Sequence, residues 1–316
     1  MCTNFTRMTK GKKMRTLNIG NMKASAISLG CMRMAKLDEK RVDAIMEAAL
    51  ENGINYFDHA DIYGKGNSEK LFGEYLARHA SVREKLLIQT KCAIHDGQYD
   101  FSKEHIIASV EGSLSRLGVD YVDALLLHRP DTLMEPCEVA EAFEILESSG
   151  KVRHFGVSNH NSMQIELLKT AVKQPFLINQ LQFSVAEAGM VTSGMNVNMK
   201  NAESQMHDGS ILEYSRIQKI TIQTWSPFQY GFFKGMFVDN EDFPELNAKL
   251  AEIAEKYGIT KIGVAAAWIL RHPANMQLIA GTMNPEHLKD ICCAVDVTLT
   301  RAEWYEIYRA AGHCLP

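Results

Sequence analysis

Hydrophobic and polar positions along this chain follow two periods that alternate from one end to the other. Short apolar runs of β character stand near Ala26 to Gly30, Ile54 to Asp58, Leu86 to Lys91, Tyr121 to His128, Val152 to Val157, Leu177 to Gln182, Ile220 to Ser226 and Gln277 to Gly281. Segments with helical spacing lie between them. Val42, Ile45, Met46, Ala49 and Leu50 mark one apolar stripe, closed by Gly53; Ser102 caps a second that runs through Ile106, Ile107, Val110, Leu114 and Leu117 and stops at Gly118. Pro136 and Gly150 frame another in the same way. Strands and helices in strict alternation predict a parallel sheet with helices outside it.

Eight strand and helix units joined by right-handed crossovers can close into a barrel, whereas a doubly wound open sheet usually carries a Gly-rich phosphate turn after its first strand. No G-x-G-x-x-G occurs in the chain. The expectation is therefore an α/β fold, a (β/α)8 TIM barrel in one domain over residues 14–316, with long loops at its C-terminal face. Met14 to Lys23 reads as strand, turn at Gly20-Asn21 and strand, a hairpin expected to cover the N-terminal mouth. Two stretches break the repeat. Ser184 to Gly209, rich in Met, Asn, Ser and Gly, is too long for an ordinary connection and is expected to be a functional loop or mobile; Pro227 to Pro244 is a Gly- and Phe-rich loop after the seventh strand.

Composition narrows the partners. With 34 basic and 38 acidic residues the net charge is −4, so no general attraction to nucleic acid or to an anionic membrane is expected. No apolar run approaches the roughly 20 residues of a membrane span, and no secretory h-region stands at the N-terminus, which points to the cytoplasm. The seven cysteines, with Cys292 and Cys293 adjacent, fit neither a disulfide framework nor a zinc spacing and read as reduced thiols. The first acidic residue is Asp38, and residues 1–13 read as a basic, solvated arm.

In a barrel of this kind the chemistry sits where the strands end. Asp58 ends the second strand and Tyr63 follows it; Lys91 ends the third; His128 ends the fourth. This set suits proton delivery to an oxygen that is becoming an alkoxide. A tyrosine, with a free pKa near 10, needs a neighbouring ammonium to favour its phenolate, and Lys91 supplies that charge. Asp58 would hold Lys91 charged and oriented, and His128 would hydrogen-bond the substrate carbonyl. Each of these residues taken singly reads more simply as packing or surface; their convergence is what argues for a site.

The stretches Phe57-Asp58-His59-Ala60-Asp61-Ile62-Tyr63-Gly64, Thr90-Lys91, Leu125-Leu126-Leu127-His128-Arg129-Pro130 and Gly150-Lys151-Val152-Arg153-His154-Phe155-Gly156-Val157-Ser158-Asn159 stand in an order that resembles the aldo-keto reductase superfamily of barrel oxidoreductases. The resemblance spans about Leu17 to about Ala311. It implies that Asp58, Tyr63, Lys91 and His128 are the catalytic tetrad and that the chain reduces an aldehyde, ketone or quinone with a nicotinamide cofactor, NADP(H) favoured and NAD(H) possible. It further implies that Ser158, Asn159 and Gln180 hold the carboxamide, Trp225 stacks on the ring, and Ser226 with the backbone from Phe228 through Gly231 to Phe233 embraces the pyrophosphate. Gly30, Cys31 and Met32 would complete that surface.

Gly281, Thr282 and Asn284 before Pro285 suit phosphate binding at a helix N-terminus. Relatives that prefer NADPH often carry Lys and Arg where this chain has Gly281 and His287, so the charge pairing to a 2′-phosphate is expected to be weak. The substrate pocket is expected under Met32, Phe183, Phe228, Tyr230, the 184–209 segment and the tail near His313. Two other readings compete. A metal-dependent barrel hydrolase would use His59, Asp61 and His128 as ligands but lacks a His-x-His pair, and a cofactor-loaded regulatory subunit would carry the same barrel. No metal and no macromolecular partner are required by the sequence.

Overall fold

Gly20 takes a left-handed backbone, φ +58°, which folds Thr16–Ile19 (β1) back on Met22–Ser25 (β2) as an antiparallel hairpin. A Cβ at Gly20 would stand 2.5 Å from Leu177 Cδ1, so the turn is pressed against the body of the protein. The inward side chains Ile19, Met22 and Ala24 join Tyr56, Ala124, Leu126 and Ile178 in a buried cluster of their own. The hairpin thereby plugs the N-terminal end of the barrel. The computed structural model describes residues 14–95, 97–205, 207 and 209–315; the basic arm 1–13 lies outside them.

The barrel is closed by eight parallel strands: Ile27–Gly30 (β3), Tyr56–Asp58 (β4), Leu87–Cys92 (β5), then, after the short hairpin Ile94–His95 (β6) and Gln98–Tyr99 (β7), Ala124–Leu127 (β8), Phe155–Ser158 (β9), Phe176–Gln182 (β10) and Thr221–Trp225 (β11). A second short hairpin, Gln229–Tyr230 (β12) and Gly235–Met236 (β13), precedes the last barrel strand, Met276–Ala280 (β14), which pairs with both β11 and β3. Every barrel strand lies within one of the apolar runs or overlaps it by all but a residue. Buried on both faces, such strands need continuous apolar runs rather than alternation.

Eleven helices are described: Glu39–Glu51 (α1), Asn67–Arg78 (α2), Lys103–Leu117 (α3), Pro136–Ser148 (α4), Ser162–Lys169 (α5), Gly189–Met195 (α6), Ile211–Gln218 (α7), Pro244–Tyr257 (α8), Lys261–Arg271 (α9), Pro285–Cys292 (α10) and Arg301–Ala310 (α11). Their ends follow the capping residues. The Ser102 side chain accepts from His105 N at the start of α3, and Gly118 closes it at φ +63°.

The 184–209 segment departs from its expected role. Phe183 stacks on Trp268 with ring centres 5.3 Å apart, Thr192 in α6 accepts a 2.9 Å bond from the Tyr308 hydroxyl, and the His313 ring sits 2.7 Å from the Val185 carbonyl. Val185, Ala188, Met190 and Val191 are buried. The apolar residues among the polar ones dock this segment on α9, α11 and the tail. No helix among the described residues is long and apolar enough to cross a membrane.

Candidate functional site

Strand register brings the polar strand ends to one level. Gly30 pairs with Asp58, Asp58 with Gln89, and Lys91 with Leu126, so β3, β4, β5 and β8 deliver their last residues to the same rim. There Lys91 Nζ, wholly buried, donates to Asp58 Oδ1 at 2.7 Å, to the His59 carbonyl at 2.8 Å and to the Tyr63 hydroxyl at 3.0 Å. The three donors of the ammonium are used. The His128 ring meets that of Tyr63 nearly edge-on, with centres 6.0 Å apart.

A layer of glutamines supports the carboxylate from below. Gln89 and Gln180 donate to Asp58 Oδ1 at 2.5 and 3.0 Å; both also donate to Gln223, which donates to Gln277, which ends on the Ser25 carbonyl. These polar side chains satisfy one another in a place where an unpaired amide would be costly. Of this layer the sequence reading found only Gln180. Each of the others occupies one polar position inside an apolar strand, a weak signal until the register aligns them.

Burial sets the protonation states. It pushes the Tyr63 hydroxyl above its usual pKa, with Asp58 adding to the rise and Lys91 pulling it back. The expectation that Lys91 makes this phenol acidic overall is therefore corrected: the cavity keeps it protonated, and the ammonium reduces what ionisation costs. Burial works against Lys91 too, but Asp58 and Tyr63 outweigh it and its pKa rises, so the ammonium stays charged. His128 is held neutral far below its ordinary pKa by burial, then by Lys91 and Arg129, and its Nδ1 is buried without a partner.

The four residues differ in access. Lys91 lies behind the others, while Asp58, Tyr63 and His128 line a cavity of roughly 1360 Å³ that also reaches Gly30, Met32, Ser158, Asn159, Gln180, Trp225, Ser226, Phe228 and Phe233, and ends near Gly281, Thr282, Asn284, His287 and Ile291. Ser158, Asn159 and Trp225 are tied together: Asn159 Nδ2 donates to Ser158 Oγ at 2.8 Å and Trp225 Nε1 to Asn159 Oδ1 at 3.0 Å. Asn159 and Ser226 both hold left-handed backbone, φ +59° and +50°, a region that asparagine tolerates and serine enters at a cost.

Several expected lining residues lie elsewhere. Cys31 is fully buried with its thiol toward the Leu29 carbonyl, and Gly231 donates its N–H to Glu187 away from the cavity. Phe183, Tyr230, His313 and the described residues of the 184–209 segment are likewise absent from the wall; the Tyr230 ring packs on Phe243. In their place stand Ile62, Ile94, Tyr99, Phe232, Phe233 and Met236. Phe232 is 67 % exposed, so this roof is open to solvent.

The structure also adds cations that the sequence reading did not place. Arg33 and Arg41 line the cavity with Thr282, Asn284 and His287, and Arg33 Nη1 donates to the Gly281 carbonyl at 2.9 Å. A Cβ at Gly281 would stand 2.8 Å from that nitrogen, so a larger residue there would displace the Arg33 guanidinium. Asn284 caps α10 by accepting from Glu286 N.

The chain matches the aldo/keto reductase family model over residues 26–311. It is 35 % identical to the uncharacterized oxidoreductase YcsN of Bacillus subtilis, covering 86 % of this chain and 89 % of that one. A 6-dehydroglucose reductase of Agrobacterium fabrum is 33 % identical, with 92 % and 95 % covered. The chain belongs to the aldo/keto reductase family. The fold of this aldo/keto reductase agrees with solved relatives: an aldo-keto reductase from Klebsiella pneumoniae in complex with NADPH superposes with a TM-score of 0.75 over 95 % of both chains at 23 % identity. Members of the family are oxidoreductases that reduce small carbonyl compounds.

Behind the rim lies a second layer. His59 is buried against Phe72, with ring centres 4.6 Å apart and both ring nitrogens unpartnered, and burial lowers its pKa to about 3. It does not line the cavity, and among the described residues no group of three side chains is placed to hold a metal ion, so His59, Asp61 and His128 do not gather as the hydrolase reading requires. Asp61 is pushed up to about 6, first by burial and then by Glu69, and its Oδ1 has no partner. Its carboxyl holds a proton to higher pH folded than unfolded. The stability this gives is complete below about pH 4 and drains away as pH rises through about 6. Asp61→Asn should therefore unfold later than wild type at pH 7 to 8, by up to about 3 kcal/mol, with the gap shrinking toward pH 4. Thermal unfolding across that range checks it; a gap independent of pH would contradict it.

Proposed function

We propose that this aldo/keto reductase reduces an aldehyde or ketone to the alcohol with NADPH, and that Tyr63 is the proton donor. The observation that carries the proposal is the Tyr63 hydroxyl, 3.0 Å from a buried ammonium that is itself fixed by Asp58, on the wall of a cavity long enough for a dinucleotide and a small substrate. A bound reduced nicotinamide supplies the hydride. Tyr63 gives its proton to the carbonyl oxygen, and Lys91 lowers the cost of the phenolate left behind. His128, neutral, offers a ring N–H to the same oxygen without competing as an acid. Solvent then returns the proton to Tyr63.

The chemistry of the donor set fits the cofactor along its length. Ser158, Asn159, Gln180 and Trp225 would hold the nicotinamide end, and Ser226 with Phe228, Phe232 and Phe233 would lie along the pyrophosphate. At the adenosine end the N-terminus of α10, Thr282 and Asn284 offer donors, and Arg33 and Arg41 bring the charge that the 281–287 stretch lacks. Among the described residues Arg41 pairs with Asp38, at 3.8 Å with both side chains exposed, a loose contact that a phosphate can replace.

Tyr63→Phe should lower kcat by about 10² to 10⁴-fold while NADPH affinity stays near wild type. Steady-state kinetics with a simple aldehyde and fluorescence quenching by NADPH test this, and near-normal turnover would refute the assignment. Arg41→Gln, alone and combined with Arg33→Gln, should weaken NADPH binding by about tenfold or more and NADH binding far less, since a charge-assisted bond to phosphate is lost only with the former. Equal losses for both cofactors would place the 2′-phosphate away from these arginines.

A further inference from the structure

At the chemical end of the cavity one charge has no counterpart among the described residues. Arg129 follows His128 directly and lines the cavity wall, half-buried, with its guanidinium carbon 5.8 Å from the centre of the Trp225 ring. Among the described residues it forms no ion pair and no hydrogen bond. Among the described residues Asp58 is the only carboxylate on the cavity wall, and it is already occupied by Lys91, Gln89 and Gln180. Asp131, two positions on, accepts from the backbone N–H groups of Phe101 and Leu133 instead. A guanidinium drawn partly out of water without an acid partner is unfavourable unless something anionic arrives.

The surroundings say where that anion would come from. Arg33 and Arg41 stand with the residues of the adenosine end, whereas Arg129 stands with His128 and Trp225, next to the reacting oxygen. Phe232 and Phe233 pack against the same Trp225 ring, and Ile62, Ile94, Tyr99 and Met236 add apolar lining to the cavity. A neutral hydrophobic aldehyde would use this wall and leave the guanidinium bare. A planar guanidinium fork matches an oxyanion in two parallel bonds.

We propose that Arg129 is a specificity-determining residue that selects carbonyl substrates carrying an oxyanionic group, a carboxylate or a phosphate, on an apolar body. This rests on the reductase reading given above and names the class of substrate for that same site. The anion sits on Arg129 while the carbonyl oxygen lies at Tyr63 and His128, and the apolar side walls hold the part between. The gain appears mainly in KM, because the anionic group is remote from the reacting bond and is bound equally before and during the reaction.

The test compares matched aldehydes with NADPH on the full chain: 4-carboxybenzaldehyde against 4-formylbenzamide, and 4-formylphenyl phosphate against 4-methoxybenzaldehyde. Wild type should favour the anionic member of at least one pair by about 10- to 100-fold in kcat/KM, the range of a charge-assisted contact, and the pair with the larger ratio names the anion. Arg129→Leu should collapse that ratio to near one, Arg129→Lys should keep part of it, and 0.5 M salt should narrow it in wild type. NADPH affinity, read by fluorescence quenching, serves as the separate measure of a folded, cofactor-competent protein. Equal rates for both members in wild type would overturn the proposal, as would an Arg129→Leu variant that loses both members alike or loses NADPH affinity in step. A wild type that reduces none of the four aldehydes would remove the reductase reading, and this proposal with it.

Discussion

The buried ammonium of Lys91 is the constraint on which the site depends. A lysine wholly removed from water keeps its charge only if its surroundings repay the lost hydration. Asp58, the His59 carbonyl and the Tyr63 hydroxyl do so, each within 3.0 Å. Asp58 in turn needs its own support, and Gln89 provides it from the neighbouring β5 and Gln180 from β10 across the barrel. A single charge thus fixes the side chains of β4, β5 and β10 relative to one another, and the barrel's closure makes that possible by holding the strand ends in register.

That arrangement divides the protein into a rigid floor and an open roof. The N-terminal hairpin seals one end with apolar side chains, and the glutamine layer lies between that plug and the reacting groups. Above them the cavity is walled by two short hairpins, β6–β7 and β12–β13, which carry Ile94, Tyr99 and Met236, with Phe232 and Phe233 at the tip of the second. Floor residues are hydrogen-bonded to one another; roof residues touch mainly through rings, as Trp225 does Phe233 with centres 5.9 Å apart. The proposed reacting groups thus rest on a hydrogen-bonded layer, and the lining that would meet a substrate rests on ring packing.

How much of this was legible in the sequence follows from which signals are local. Strand positions were legible because both-face burial writes continuous apolar runs, and helix ends because Ser102, Gly118 and Pro136 act within a turn of their own position. The candidate site residues at strand ends were legible for the same reason. The glutamine layer was not, since Gln89, Gln223 and Gln277 meet only through barrel closure. Composition also misled. The Met- and Asn-rich 184–209 segment read as a pocket loop, but Phe183 and Val191 anchor it on the helices behind the barrel. Arg33, Arg41 and Arg129 were not legible because an arginine outside an apolar run is ordinarily solvated, and only the cavity shows what they face.

The central claim is that Lys91 eases the ionisation of a phenol that burial opposes. Tyrosine ring NMR with ¹³Cζ labelling measures this directly, the Tyr63 resonance being identified by its loss in Tyr63→Phe. In wild type this hydroxyl should ionise above the usual value near 10, and in Lys91→Met at higher pH still, because the ammonium that pulls it back is gone. A Tyr63 that ionises at the same or lower pH without Lys91 would contradict the account.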